Sequence, residues 1–254
     1  MQLRILGCSG GISEGLRTTS YLLDDTILID SGTGVGDLSL EEMKRIRHVF
    51  LTHSHLDHVA GMPLLVDTIF HALDTPLIVH AQPETIKAIK DHLLNWTIWP
   101  DFAELPHEHE PVLAFEPMTT EATVEVQGLT FRMIDVDHTV PTVAIRVTDG
   151  ERSFCFSGDT GTNETLWAGL NEEDGLDFLL MECAYPNENE ELARLSKHYW
   201  PAQLAVDLKR LRHRPRIGIT HLKPRWAEQT WSQCEAAIEG FEFFRVERGQ
   251  RIDI

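Results

Sequence analysis

Apolar runs that stop at a histidine or an aspartate do most to narrow what this chain can become. "LRILG" (3–7), "SYLLDDTILID" (20–30) and "IRHVFLTH" (46–53) come early. "TVEVQGLTFRMIDV" (123–136), "TVAIRVT" (142–148), "RSFCFSG" (152–158), "DFLLMECA" (177–184) and "RIGITH" (216–221) come late. Their Val, Ile, Leu and Phe content predicts β-strands, with Asp24 and Asp25 as a hairpin turn. Helical spacing lies between them. It runs through "SLEEMKRI" (39–46), with Ser39 as N-cap and Glu42 three residues on, and through "GMPLLVDTIFHAL" (61–73). It recurs in "PETIKAIKDHLLN" (83–95), which opens on Pro83, in "PAQLAVDLKRLRH" (201–213) and near 226–239. "PLIVHA" (76–81) reads as a strand, residues 96–117 as a long irregular excursion, and "FFRVERGQRIDI" (243–254) as a closing hairpin. Strands in two blocks, each followed by helices, predict two sheets face to face with helices outside. That is an α+β chain, read as a single domain over residues 1–254.

Length and composition permit this fold. The 254 residues, 42% hydrophobic and 24% charged, suffice for a sizeable buried core. Lys and Arg total 22 against 40 for Asp and Glu, a net charge of −18. Such a field disfavours long polyanions and membrane surfaces, whose binding needs basic patches. It is compatible with a small anionic substrate, because bound cations can dominate the field locally. Cys8, Cys155, Cys183 and Cys234 are scattered and form no CxxC pair, which argues for a reducing compartment and against a disulfide framework. The first residues read directly as a strand and not as a signal peptide, so a cytoplasmic location is expected. A homodimer is compatible with the sequence.

The chemistry is concentrated in "LTHSHLDH" (51–58), where a strand ends and a helix begins. His53 and His55 are two apart and point the same way in an extended segment. Asp57 and His58 follow on the turn into the helix. Such a crossover can aim two imidazoles at one metal and a carboxylate with an imidazole at a second. Partners at other strand ends are then expected. "MIDVDHTVPT" supplies His138, "FCFSGDTGT" supplies Asp159, and "IGITHLKP" supplies His221.

His-x-His-x-Asp-His followed by His138, Asp159 and His221 resembles the metallo-β-lactamase superfamily along essentially the whole chain. The resemblance implies a four-layer αββα sandwich with its site at the rim where the sheets meet. It implies that His53, His55 and His138 hold a first metal, that Asp57, His58 and His221 hold a second, and that Asp159 bridges the two. Imidazoles and carboxylates suit zinc above all, with iron or manganese as alternatives. Two such cations would make a bridging hydroxide available at neutral pH, which is a hydrolase site.

Three stretches narrow the substrate. "LGCSGGISEGLRTTSYLL" resembles the opening of ribonuclease Z and of class II cyclic-nucleotide phosphodiesterases, with glycines that could offer amides to an anion. "MECAYPNENEELARLSKHYWPAQLA" resembles the segment in which those phosphodiesterases turn a further histidine, here His198, toward the scissile phosphate. Tyr199 and Trp200 depart from the smaller residues usual there. "THLKP" resembles the same class and offers Lys223 as a phosphate contact. The expected function is a dinuclear phosphodiesterase opening a 3′,5′-cyclic nucleotide to the 5′-monophosphate, with Asp57, Asp159 and His198 as the catalytic set. A ribonuclease Z-like phosphodiesterase is an alternative, but the sequence shows no basic run of the kind such an enzyme needs to grip transfer RNA. Lactone or thioester hydrolysis and a non-hydrolytic di-iron protein are the other readings. Trp96, Trp99 and Phe102 are read as core or dimer interface before substrate wall.

Overall fold

The computed structural model describes residues 1–107 and 109–254. The first half of the chain contributes β1 (Gln2–Gly7), β2 (Ser20–Leu23), β3 (Ile27–Ser31), β4 (His48–Phe50) and β5 (Leu77–Ala81). After the short pair β6 (Pro106–His107) and β7 (Glu110–Pro111) comes β8 (Leu113–Pro117). The second half contributes β9 (Thr123–Val126), β10 (Leu129–Val136), β11 (Thr142–Thr148), β12 (Ser153–Phe156), β13 (Phe178–Glu182), β14 (Arg216–Thr220), β15 (Phe243–Arg245) and β16 (Arg251–Asp253). Two seven-stranded sheets result, with orders β16-β1-β2-β3-β4-β5-β8 and β15-β14-β13-β12-β11-β10-β9.

Side-chain alternation builds three apolar layers from these strands. Tyr21, Leu23, Ile27 and Ile29 turn inward, against Phe131, Met133, Val143, Ile145, Phe154 and Phe156 of the other sheet. Their neighbours Leu22, Leu28 and Val49 turn outward. The first half also supplies α1 (Leu40–Met43), α2 (Leu56–Val59), α3 (Gly61–Ile69) and α4 (Pro83–His92), and Val59, Met62, Leu65 and Ile89 cover that outer face. The second half supplies α5 (Thr165–Glu172), α6 (Glu190–Ser196), α7 (Pro201–Asp207) and α8 (Ala227–Ala237). From them Leu166, Leu170, Leu204 and Cys234 meet Leu179 and Met181 behind the second sheet. Each such side chain, fully buried, stabilises the fold by about 1.5–3 kcal/mol over leaving it in water. This is the expected four-layer αββα sandwich. No helix among the described residues is long and apolar enough to cross a membrane.

Local signals act where they were read. Asp24 and Asp25 have φ of 45° and 61°, the left-handed pair that closes the tight β2–β3 turn. Ser39 accepts the Glu42 amide while the Glu42 carboxylate accepts the Ser39 amide, the reciprocal cap of α1. Three expectations need correction. The excursion 96–117 is not irregular throughout, because β8 pairs in parallel with β5 and forms one edge of the first sheet. The run 123–136 is two strands, broken where Gln127 and Gly128 turn at φ of 53° and 81°. The last twelve residues are not a hairpin: β15 pairs with β14 in the second sheet and β16 with β1 in the first, so the chain ends by crossing between sheets.

Backbone hydrogen bonds draw the strand ends onto one rim. The Val143 amide donates to the Thr52 carbonyl, Gly161 to Asp137, Cys183 to Thr220 and His221 to Cys8. Each tie joins two connections that a sequence reading can treat only separately.

Candidate metal centre

The rim gathers the residues of ligand type from four connections. His53 lies beyond β4, His55 caps α2, and Asp57 and His58 form the first turn of that helix. His138 follows β10, Asp159 follows β12 and His221 follows β14. Gly158 turns at φ 61°, and a Cβ there would lie 2.6 Å from the Val143 carbonyl oxygen, so only glycine lets the chain deliver Asp159.

Two neighbouring groups form. His53, His55 and His138 bring one ligand atom each within 4.8 Å of the others, as do Asp57, His58, Asp159 and His221. Asp159 Oδ2 stands between them, 3.2 Å from both His58 Nε2 and His221 Nε2 and 3.9 Å from His53 Nε2. Asp57 Oδ2 lies 3.9 Å from the same two imidazole nitrogens, at the mouth of the cleft.

The rings are held from behind. His58 Nδ1–H donates to Asp30 Oδ2 at 2.6 Å. His53 Nδ1–H donates to the Thr52 hydroxyl at 3.0 Å, which in turn donates to Asp30 Oδ2 at 2.8 Å. His138 Nδ1–H donates to the Lys197 carbonyl at 3.0 Å, and His221 Nδ1 lies 3.2 Å from the Thr19 hydroxyl. Fixing one nitrogen aims the other inward, the outer-sphere arrangement that metal-binding histidines need.

The facing atoms lack partners. His53 Nε2, His58 Nε2 and Asp159 Oδ1 are buried and unbonded among the described residues. A buried polar atom without a partner costs about 1–3 kcal/mol, and here several turn toward one space. Neutral imidazoles and carboxylates converging in this way fit divalent cations. Burial and neighbouring charges compete at these groups. Burial holds the His53 and His221 imidazoles well below their ordinary range. Burial also opposes a charge on His58, but Asp159 and Asp30 outweigh it and raise that imidazole. Burial likewise opposes a charge on Asp159, yet His221 and His58 hold its carboxyl well below the usual carboxylate range.

Backbone strain is present at the same place. Asp30, Lys197 and His221 are left-handed non-glycine residues, at φ of 53°, 53° and 62°, as is Trp96 elsewhere at 63°. Each costs about 1 kcal/mol or more, and such residues persist where surrounding contacts hold them.

His198 reaches the rim from the segment between α6 and α7 and offers a ligand-type atom beside His138 and Asp159. Its Nδ1–H donates to Glu182 Oε1 at 2.9 Å. Lys223 Nζ lies 3.3 Å from His221 Nε2. One amide of the glycine loop is taken up within the fold. The Gly10 amide is spent on the Leu222 carbonyl, and a Cβ on Gly10 would lie 2.6 Å from the His221 carbonyl oxygen. The loop therefore packs onto the His221 turn. Trp96 and Phe102 follow α4, which runs back from the metal-side end of β5, so they lie at the opposite rim. Phe102 is buried in the outer layer and Trp96 is 58% exposed.

Sequence reasoning missed Asp30 and Glu182. Both are fully buried carboxylates at the ends of apolar strands. Their signal was available: an acid inside "TILIDSG" or "FLLMECA" must find a partner or not be there.

Residues 25–239 match the family described as "Beta-lactamase superfamily domain". The chain belongs to the β-lactamase superfamily. A probable 3′,5′-cyclic-nucleotide phosphodiesterase of Yersinia pestis is 23% identical across 96% of this chain and 86% of its own. A ribonuclease Z of Haloarcula marismortui is 21% identical, covering 95% and 92%. The crystal structure of unliganded yeast PDE1 superposes with a TM-score of 0.81 at 17% identity, covering 98% of each chain. The superfamily resemblance and the sandwich it implies are thus borne out.

Proposed function

We propose that this protein is a metal-dependent phosphodiesterase, cytoplasmic, that opens a 3′,5′-cyclic nucleotide to the 5′-monophosphate. The observation that carries the reading is the convergence of unpartnered imidazole and carboxylate atoms on one space, with the His198–Glu182 pair beside it. The similarity to cyclic-nucleotide phosphodiesterases supports the choice of substrate. The net charge of −18 favours a small anion over a transfer RNA.

His53, His55 and His138 would hold one cation, Asp57, His58 and His221 the other, and Asp159 would be shared. Zinc is the first choice, with iron or manganese next. When bound, such ions supply an activated water and offset negative charge on the phosphate oxygens. The chain's own residues do the rest. Asp159 orients the attacking water. His198 keeps one proton on Nδ1, given to Glu182, and carries a second on Nε2. As the attacking water gives one proton to solvent and its oxygen bonds to phosphorus, the P–O3′ bond breaks and His198 passes the Nε2 proton to O3′, later regaining one from solvent. The buried Glu182 carboxylate stabilises the imidazolium that this role requires. Burial disfavours that cation, but Glu182 outweighs burial and raises the His198 imidazole. The Lys223 ammonium stands where it could neutralise a phosphate oxygen.

The test is purified protein of known metal content, given cAMP and bis-p-nitrophenyl phosphate in parallel beside Asp159→Ala. Formation of 5′-AMP, lost in the variant, is the expected result. Turnover of the nitrophenyl ester alone would retain the phosphodiesterase and discard the cyclic nucleotide. Two bound metals without turnover of either ester would overturn the reading.

A further inference from the structure

Asp207 is the buried carboxylate that the chemistry above leaves unused. It sits in α7, wholly removed from solvent. Its Oδ2 accepts the Tyr199 hydroxyl at 2.7 Å and the Thr162 hydroxyl at 2.6 Å. Its Oδ1 accepts Gln203 Nε2 at 3.1 Å and faces Arg210 Nε at 3.4 Å. Trp167 Nε1–H donates to the Tyr199 oxygen at 3.3 Å, so that hydroxyl is fixed from both sides. A carboxylate is costly to bury, and apolar packing would serve a core as well or better. Its connections are therefore informative.

Those connections join two particular segments. Thr162 belongs to the turn that delivers Asp159, and Tyr199 is the neighbour of His198. Glu182 makes the same join nearer the site. Its Oε1 accepts the Thr160 amide at 3.0 Å, the Tyr199 amide at 3.3 Å and His198 Nδ1–H at 2.9 Å. On the other side of His198, the left-handed Lys197 gives its carbonyl to His138 and its ammonium to Asp137 at 2.7 Å. The His198 ring itself makes one hydrogen bond among the described residues and packs against His138, Tyr185 and His221. Where that ring sits is set by the backbone on either side.

We propose that the Tyr199 hydroxyl and the Asp207 carboxylate form a latch that positions His198, fastening its segment to the turn that carries Asp159. They are positioning residues and touch no reacting atom. The latch answers the departure at Tyr199: a large phenol follows His198 because its hydroxyl reaches through to Asp207. The inference rests on the phosphodiester reading for its kinetic consequence, though not for its structural one.

Tyr199→Phe removes one oxygen and leaves Asp207 its other three partners, so the variant is expected to fold. Two measurements on the purified protein test the latch. The first compares cAMP, whose leaving group is an alkoxide that needs a proton, with bis-p-nitrophenyl phosphate, whose nitrophenolate does not. A misdirected acid lowers kcat on cAMP by about tenfold, while KM and nitrophenyl ester turnover stay within about twofold. The second is hydrogen exchange, in which amides of 159–163 and 197–200 should exchange roughly tenfold faster with the rest unchanged. Thr162→Val should reproduce both effects from the opposite end, and Asp207→Asn should enlarge them. Equal loss on both esters, or unaltered exchange, would overturn the latch while leaving the phosphodiesterase standing. If the native protein turns over neither ester, the phosphodiester reading fails and the exchange measurement alone decides the latch.

Discussion

The fold holds two groups of largely buried histidines, one across β4 and β5 and one on the rim, and they are built differently. His80 points into the interior, its ring stacked 4.3 Å from Phe50, which stacks 3.8 Å from Phe131 of the opposite sheet. Its Nε2 faces His48 Nδ1 at 3.1 Å, and its Nδ1 faces Glu116 at 3.5 Å. One nitrogen of each ring looks at the other, and His80 Nδ1, which makes no hydrogen bond, turns toward a single carboxylate and not toward further ligand atoms. A few residues on, the histidines of the rim each spend a nitrogen on a supporting group or a neighbouring ring, and the remaining atoms look into common space. Burial alone therefore does not mark a ligand histidine. Convergence of unsatisfied atoms does, because only a shared cation can satisfy several at once.

The sharpest way to break this contrast is to remove the shared acceptor. Asp159→Ala should lose bound metal, read by elemental analysis, and about 10³-fold or more in turnover. Full activity in that variant would place the rim with the ordinary histidine pair. Next comes the support: Asp30→Asn keeps the shape and removes the charge behind His58 and Thr52, and metal affinity in a chelator competition should fall about 10–100-fold. An unchanged affinity would mean that the outer sphere only packs.

A smaller effect belongs to the interior pair. Burial, helped by neighbouring His48, lowers His80 from 6.5 to about 4. The fold thus favours neutral His80, and between those pH values the unfolded chain binds the extra proton. Stability is complete above about 6.5 and is lost as pH falls through about 4, by roughly 1–2 kcal/mol once screening is allowed for. His80→Gln should flatten denaturation midpoints across that window without altering metal content. Smallest of all, Trp96→Ser at the opposite rim should leave turnover within about twofold, and a large loss would show that this rim serves the reaction.

What could be read from the chain follows the reach of each signal. The tight turn at Asp24 and Asp25, the Ser39–Glu42 cap and the spacing of His53, His55, Asp57 and His58 act within a few residues. Torsion preference and side-chain direction settle them locally. The apolar runs around Asp30 and Glu182 signal that each acid needs a partner, but which partner it meets, and that Asp207 is buried at all, is set by contacts distant in the chain. Their partners are 22 residues away at Thr52, 16 at His198 and 45 at Thr162.

The sequence alone therefore determined the strand and helix alphabet, the alternation that makes four layers, and the ligand types waiting at the strand ends. The tertiary structure decided which ends meet. It sent β16 back to the first sheet, packed the Gly10 loop onto the His221 turn, and tied His198 to Asp159 through two buried carboxylates. The physical reason is that these contacts join residues far apart in the chain. Each costs chain entropy to close, and each becomes favourable only when sheet register and helix packing have already brought its partners together.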